Sequence, residues 1–141
     1  MGPVSSRLIP GLQYQVSPYN RVPVKEGDRI RAGLAMQLVA VPTGIAPEAM
    51  VAGVRPGPRQ VQARRLAMYL AHVGLGWTVE RVGHAFGFNR ATVSAGCRWV
   101  EDARDDPAVD GLMERLELAV RQVCETPHLE MTRLDAVAVA R

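Results

Sequence analysis

The stretch "VERVGHAFGFNRATVSAGCRWV", Val79 to Val100, constrains the fold more than any other part of the chain. Two short amphipathic segments flank Gly87, which accepts the positive φ of a sharp turn without a Cβ penalty. Thr78 caps a first helix that runs to about Phe86, with Val79, Val82 and Phe86 inward. At roughly two turns it is short enough for the next helix to leave it at a steep angle. Gly83 lies inside this helix, where glycine costs about 1 kcal/mol; a close crossing of the two helices would account for it. Phe88 plugs the turn. Asn89 or Arg90 opens the second helix, which buries Val93, Cys97 and Val100 with Gly96 beside them. Asn89, Arg90, Thr92, Ser94 and Arg98 then face outward, with Ala91 and Ala95 among them. This is the pattern of a helix-turn-helix.

The charge of the chain points the same way. Residues 55–98 hold seven arginines (55, 59, 64, 65, 81, 90 and 98) against one acid, Glu80. Residues 99–130 hold nine acids against three arginines. A formal net charge of +3 therefore conceals a basic block beside an acidic one, and the basic block contains the helix-turn-helix. Such a block suits a phosphate-binding face. On the second helix each outward residue has a chemical use. Arg90 suits guanine O6 and N7 in a major groove, and Asn89 suits adenine or a phosphate. Thr92, Ser94 and Ala95 are short enough to let the helix approach base edges. The helix N-terminus faces a phosphate well, and Arg98, two turns on, suits the backbone.

The remaining sequence predicts an all-α bundle of about five to six helices. Residues 1–27 form an extended arm, because Pro3, Pro10, Pro18 and Pro23 interrupt any helix there. From Asp28, a capping residue, Ile30, Leu34, Leu38 and Val41 recur at helical spacing until "VPTG". Pro47 starts a short helix over about 47–52, stopped by Gly53. "VRPGPRQ" reads as a basic loop. The next helix carries Leu66, Tyr69, Leu70 and Val73 as its stripe and ends at Gly74 and Gly76. Asp106 and Pro107 open the last helix, with Leu112, Leu116, Ala119, Val120 and Val123 toward the core. Residues 125–141 read as a loose tail. The domain proper is 28–124.

Other chemistry finds little support. No GxxxxGK[ST] motif occurs, so no nucleotide site is expected. Cys97 and Cys124 form no CxxC pair, and no Cys/Asp/Glu trio joins His72 and His84 at ligand spacing in the sequence, so no metal or other cofactor is expected. Asp105–Asp106 reads as a helix start rather than a catalytic pair, and Trp77 and Trp99 as packing residues. The expectation is a protein that is not an enzyme, with no membrane span and no signal peptide, in the cytoplasm and at the nucleoid.

Residues "RRLAMYLA" (Arg64–Ala71), "VGHAFG" (Val82–Gly87) and "TVSAGCRWVED" (Thr92–Asp102) together resemble a known family. It is the C-terminal DNA-binding domain of the bacterial replication initiator DnaA, a Trp-repressor-like helix-turn-helix. Upstream, "LAMQLVAVPTGIAPEAMVAGVRPGPRQV" is similar to that domain's first helices and basic loop, so the resemblance covers about residues 28–124. It implies that Arg55 or Arg59 enters the minor groove and that Arg64 contacts DNA beside that loop. It also implies that the helix from Asn89 to Ala95 reads the major groove. Across the turn the chain carries "FNRAT" where the family has an Arg-Asp-His-Ser/Thr-Thr run, so Arg90 and Thr92 are the readers it retains. Without an ATPase module, the chain resembles the stand-alone initiator-like regulators of alphaproteobacteria.

The function expected is sequence-specific binding of double-stranded DNA in transcription regulation. One alternative is a modulator of replication that competes for initiator sites. Another is a protein-interaction scaffold working through its arm and tail, with RNA polymerase or a co-regulator as partner and Ile9, Leu12, Tyr14 and Tyr19 as anchors.

Overall fold

The computed structural model describes residues 23–53 and 55–140. Among these residues the chain forms six α-helices and no strand. In order they are α1 (Glu26–Thr43), α2 (Pro58–Tyr69), α3 (Val79–Phe86), α4 (Arg90–Ala103), α5 (Pro107–Cys124) and α6 (Met131–Ala140). A 3-10 turn (Pro47–Met50) precedes α2, and a wider π turn (Leu70–Gly74) continues it. The anchors expected in the arm, Ile9 to Tyr19, lie outside the described residues.

Helix α2 is the hub. It packs against α1, α4 and its own π turn, and α5 closes over that turn. The core is methionine-rich: Met36, Met50, Met68 and Met113 are fully buried together with Phe86, Leu70 and five valines. Glycine sets two of the close approaches. A Cβ on Gly96 of α4 would lie 3.1 Å from Met68 and 3.2 Å from Arg65 of α2, and one on Gly74 would lie 2.7 Å from Val120 of α5.

Several sequence expectations shift. Helix α1 starts at Glu26, with Lys25 at its N-cap and no side-chain cap, rather than at Asp28. Asp28 sits in the first turn and accepts from Arg81 of α3 instead, at 2.7 and 3.0 Å. The stripe on α1 is also rotated. Ile30 and Val41 are 61% and 85% exposed, Leu34 and Leu38 are half-buried, and Ala32, Ala35, Met36 and Val39 are fully buried. This helix is apolar around much of its girth, so periodicity alone admits more than one stripe. Close packing selects the face with the small residues. The helix expected over 47–52 is the shorter 3-10 turn, followed by Gly53 at φ 92°. Helix α2 begins at Pro58, so Arg59 stands in its first turn and not in the loop. Val73 is 40% exposed, because the π turn adds a residue and rotates it out of the α2 stripe. On α5, Val123 is 56% exposed, while Met113 and Glu117 are buried. Residues 125–141 were expected as a loose tail, yet they contain α6, every residue of which is exposed.

The rotation of α5 follows from a polar cluster beneath α2. Arg104, just past the end of α4, donates to Asp110 (2.6 Å), Glu117 (2.7 Å) and the Tyr69 hydroxyl (3.2 Å). Tyr69 in turn donates to Glu101 at 2.5 Å. Burial opposes the charge on Arg104, but the hydrogen bonds to Asp110, Tyr69 and Glu117 outweigh it and hold the guanidinium firmly protonated. Burial, and then the bond to Glu101, push the Tyr69 phenol up to about 12. A buried carboxylate such as Glu117 is stable only when so paired; pairing it with Arg104 turns that side of α5 inward.

Candidate nucleic-acid interface

Helices α3 and α4 meet through a tightly determined turn. Thr78 Oγ1 accepts from the Arg81 amide at 3.2 Å and fixes the start of α3. Gly87 takes φ 86°. The amides of Gly87 and Phe88 both donate to the Gly83 carbonyl, at 2.8 and 2.9 Å. A Cβ on Gly83 would lie 2.4 Å from the Phe88 carbonyl oxygen, with Val93 next at 3.5 Å. The close approach at Gly83 is therefore made mainly by the backbone of the turn, and only secondarily by α4. Asn89 Oδ1 accepts from the Thr92 amide at 2.8 Å and caps α4. Val82 and Phe86 of α3 and Val93, Gly96, Cys97 and Val100 of α4 are buried; Val79 is half-buried against the core.

The outward face of α4 runs through Ala91, Ala95 and Arg98, all exposed, with half-buried Thr92 and Ser94 on its flanks. Two alanines between two arginines leave a low ridge that an extended surface can approach closely. Arg90 projects toward α3, where its guanidinium lies 3.3 Å from Glu80; the two side chains are 72% and 57% exposed. An ion pair this exposed is worth at most about 1 kcal/mol and exchanges readily for another anion. The oxygen of Asn89 is committed to its cap. That removes the bidentate adenine contact, which needs both oxygen and nitrogen, and leaves the amide nitrogen as a donor. The first amides of α4 have no carbonyl one turn earlier, so they add partial positive charge at the same end.

Helix α2 brings further arginines to the turn. The Arg64 guanidinium lies over the Phe88 ring, 4.4 Å from its centroid. Its Nε is buried with no hydrogen-bond partner. Burial, then the neighbouring Arg65, pull its pKa below the ordinary arginine value. Arg65 lies 5.1 Å from the Trp99 ring centroid, along the side of α4. In sequence Arg65 counts only as one charge of the basic block, with no contact of its own; its adjacency to Arg64 is the signal for it. The Ala52 amide donates to the Phe86 carbonyl at 3.3 Å and ties Ala52 to the end of α3. Arg55, ahead of α2, is exposed. Arg59 is exposed but lines a groove between α2, α4 and α5 together with Trp99. Arg64 and Asn89 to Ala95 thus gather at the turn; Arg98 lies further along α4, Arg59 is set apart, and Arg55 stands exposed ahead of α2.

Other candidate groups take structural positions. His72 Nδ1 is 2.6 Å from the Trp77 carbonyl. Trp77 is buried, with Arg81 4.4 Å from its ring centroid. Burial and the nearby Glu101 push the Cys97 thiol up to about 11, a value that suits a packed residue and not a nucleophile. Among the described residues, no three of His, Cys, Asp and Glu gather as a metal site, and no helix is long and apolar enough to cross a membrane. Comparison of the chain with family models, with curated proteins and with solved structures gave no match.

Proposed function

We propose that this protein binds double-stranded DNA in a sequence-dependent way and regulates transcription. The observation that carries the reading is the outward face of α4. Its capped N-terminus, two exposed alanines and flanking Arg90 and Arg98 stand beside Arg64, with Arg55 exposed ahead of α2. In this reading the first turns of α4 enter the major groove. Arg90 leaves Glu80 for a guanine edge, and Arg98 and the Asn89 amide hold phosphates. Arg55 reaches the adjacent minor groove. Arg64, already stacked on Phe88, offers its outer guanidinium nitrogens to a phosphate beside the turn. The resemblance to the initiator's C-terminal domain supports the same assignment.

The test is selection from random duplexes at near-physiological salt, followed by binding of the selected site. Neutralising about four to six phosphates gives a log–log salt slope of about −4 to −5. Arg90→Ala should cost about 1–3 kcal/mol and relax one base position. Selection of no motif, or an unchanged motif in Arg90→Ala, would remove the major-groove assignment. A motif matching the initiator's own box would favour competition for initiator sites instead.

A further inference from the structure

Helix α6 is out of place in water. Seven of its ten residues, Met131, Leu134, Ala136, Val137, Ala138, Val139 and Ala140, are apolar, and none of the ten is buried. Met131, Leu134, Val137 and Val139 are 66%, 47%, 54% and 87% exposed. A helix that is apolar around most of its circumference belongs under cover, and one this short is marginal alone. Elsewhere on the same chain is an apolar groove of about 420 Å³, lined by Ile45, Leu66, Trp99, Val109 and Leu112, with Arg59 among its lining residues.

We propose that α6 of one copy docks into this groove on a second copy, and the reverse, giving a two-fold exchanged dimer. Met131, Leu134, Val137 and Ala138 share one side of α6 and are the anchors of a helix-in-groove contact. Asp135, on the flank of that side, faces Arg59. A two-fold operation makes both contacts at once, so the surface is self-complementary.

The chain's own α6 does not occupy the groove: all ten of its residues are exposed, and docking there would draw the linker out to its full length. Leu112 lies thirteen residues before Glu125, about 20 Å back along α5. Residues 125–130 span about 20 Å only when fully extended. Thr126 is held to the end of α5 by its amide donating to Val123 O (3.2 Å) and its hydroxyl to Gln122 O (2.9 Å), which shortens the reach further. Pairing of α6 with α6 is the other symmetric option. Two helices of about 15 Å fall short of the ~1,200 Å² that a stable interface buries, whereas two helix-in-groove contacts double the area.

Sedimentation equilibrium of the full chain tests this. The wild type is expected to be dimeric, and Leu134→Asp, at an exposed position, monomeric, with circular dichroism that loses at most the signal of the ten residues of α6. Arg59→Glu and Asp135→Arg should each weaken the dimer about tenfold, and the double variant should recover most of the loss. A monomeric wild type overturns the proposal; if its α6 amides are then protected from hydrogen exchange, the helix has found its own groove. A dimer that survives Leu134→Asp is held by another segment, the arm among them. A dimer broken by Leu134→Asp but indifferent to both charge reversals is an α6–α6 pair. Each of these results refutes groove exchange.

Discussion

Replacing Gly83 by alanine tests the turn on which the candidate interface rests. Inside a helix the substitution ordinarily gains about 1 kcal/mol through propensity. Here the new methyl would lie 2.4 Å from the Phe88 carbonyl oxygen, and the obstructing atom is backbone. The Phe88 amide is bonded to the Gly83 carbonyl at 2.9 Å, so moving the oxygen away strains a turn already tied to α3. Overpacking of this kind costs about 1–3 kcal/mol; set against the propensity gain, a net loss of up to about 2 kcal/mol is expected. Gly33 in α1 and Gly111 in α5 are internal controls, since a Cβ at either meets nothing within 4 Å. Gly33→Ala and Gly111→Ala should each stabilise by about 0.5–1 kcal/mol. Urea unfolding of the three variants, read by circular dichroism, separates the two signs. A Gly83→Ala variant as stable as Gly33→Ala would mean that α3 and the turn are not as close as described.

Three further outcomes follow from the charged groups. Arg104→Leu leaves Glu117, 8% exposed, without its cation and should cost about 3 kcal/mol in urea unfolding; adding Glu117→Leu should recover most of that, and a single-variant loss near zero would mean the cluster is solvated. The hydrogen bonds from Arg81 hold the Asp28 carboxyl below its ordinary 3.8, against the opposing effect of burial. A lowered folded pKa stabilises above the unfolded value and is lost as pH falls through the folded one, so Asp28→Asn should remove up to about 1 kcal/mol at neutral pH and flatten the stability curve below about pH 4; an acid limb as steep as wild type would place the titration elsewhere. Glu80→Gln releases Arg90 and removes a negative charge near incoming phosphates, so affinity for the selected duplex, read by fluorescence anisotropy, should rise several-fold; weaker binding would mean that Glu80 positions Arg90 rather than competing for it.

The parts of the fold that sequence revealed are those fixed by local signals. Thr78, Asn89 and Asp106 each cap the helix that their position suggested, and Gly44 and Gly87 end helices with positive φ. The bounds of α3 follow from two such signals nine residues apart, Thr78 and Gly87. What local signals do not carry is which side of an apolar helix is covered. On α1 the choice of Ala32, Ala35 and Met36 over Ile30 and Val41 is made by distant helices. The polar cluster has the same origin: Tyr69 and Arg104 are 35 residues apart, and nothing near either one announces the other. In the candidate site the outward α4 residues were readable from periodicity. The capture of Asn89 by its own helix and the stacking of Arg64 on Phe88 depend on tertiary geometry. The π turn and α6 were missed because neither has a distinctive residue pattern.

The π turn at Leu70–Gly74 has a consequence for how the chain tolerates changes in length. Its winding holds one residue more than an α-turn, so it is equivalent to a one-residue insertion that the fold has absorbed. Upstream, α2 presents Arg64 and Arg65 to the turn and to α4; downstream, Gly74 meets Val120 and the path to α3 begins. Deleting one residue here would let regular α winding resume while the elements on either side kept their phase, whereas forcing α winding with the residue retained would swing everything after it by about 100° about the α2 axis. In the first case the arginines of α2 and the outward face of α4 keep their mutual setting; in the second they lose it. The wider winding thus protects the geometry of the candidate interface from a change of length, at a distance from every side chain assigned to it.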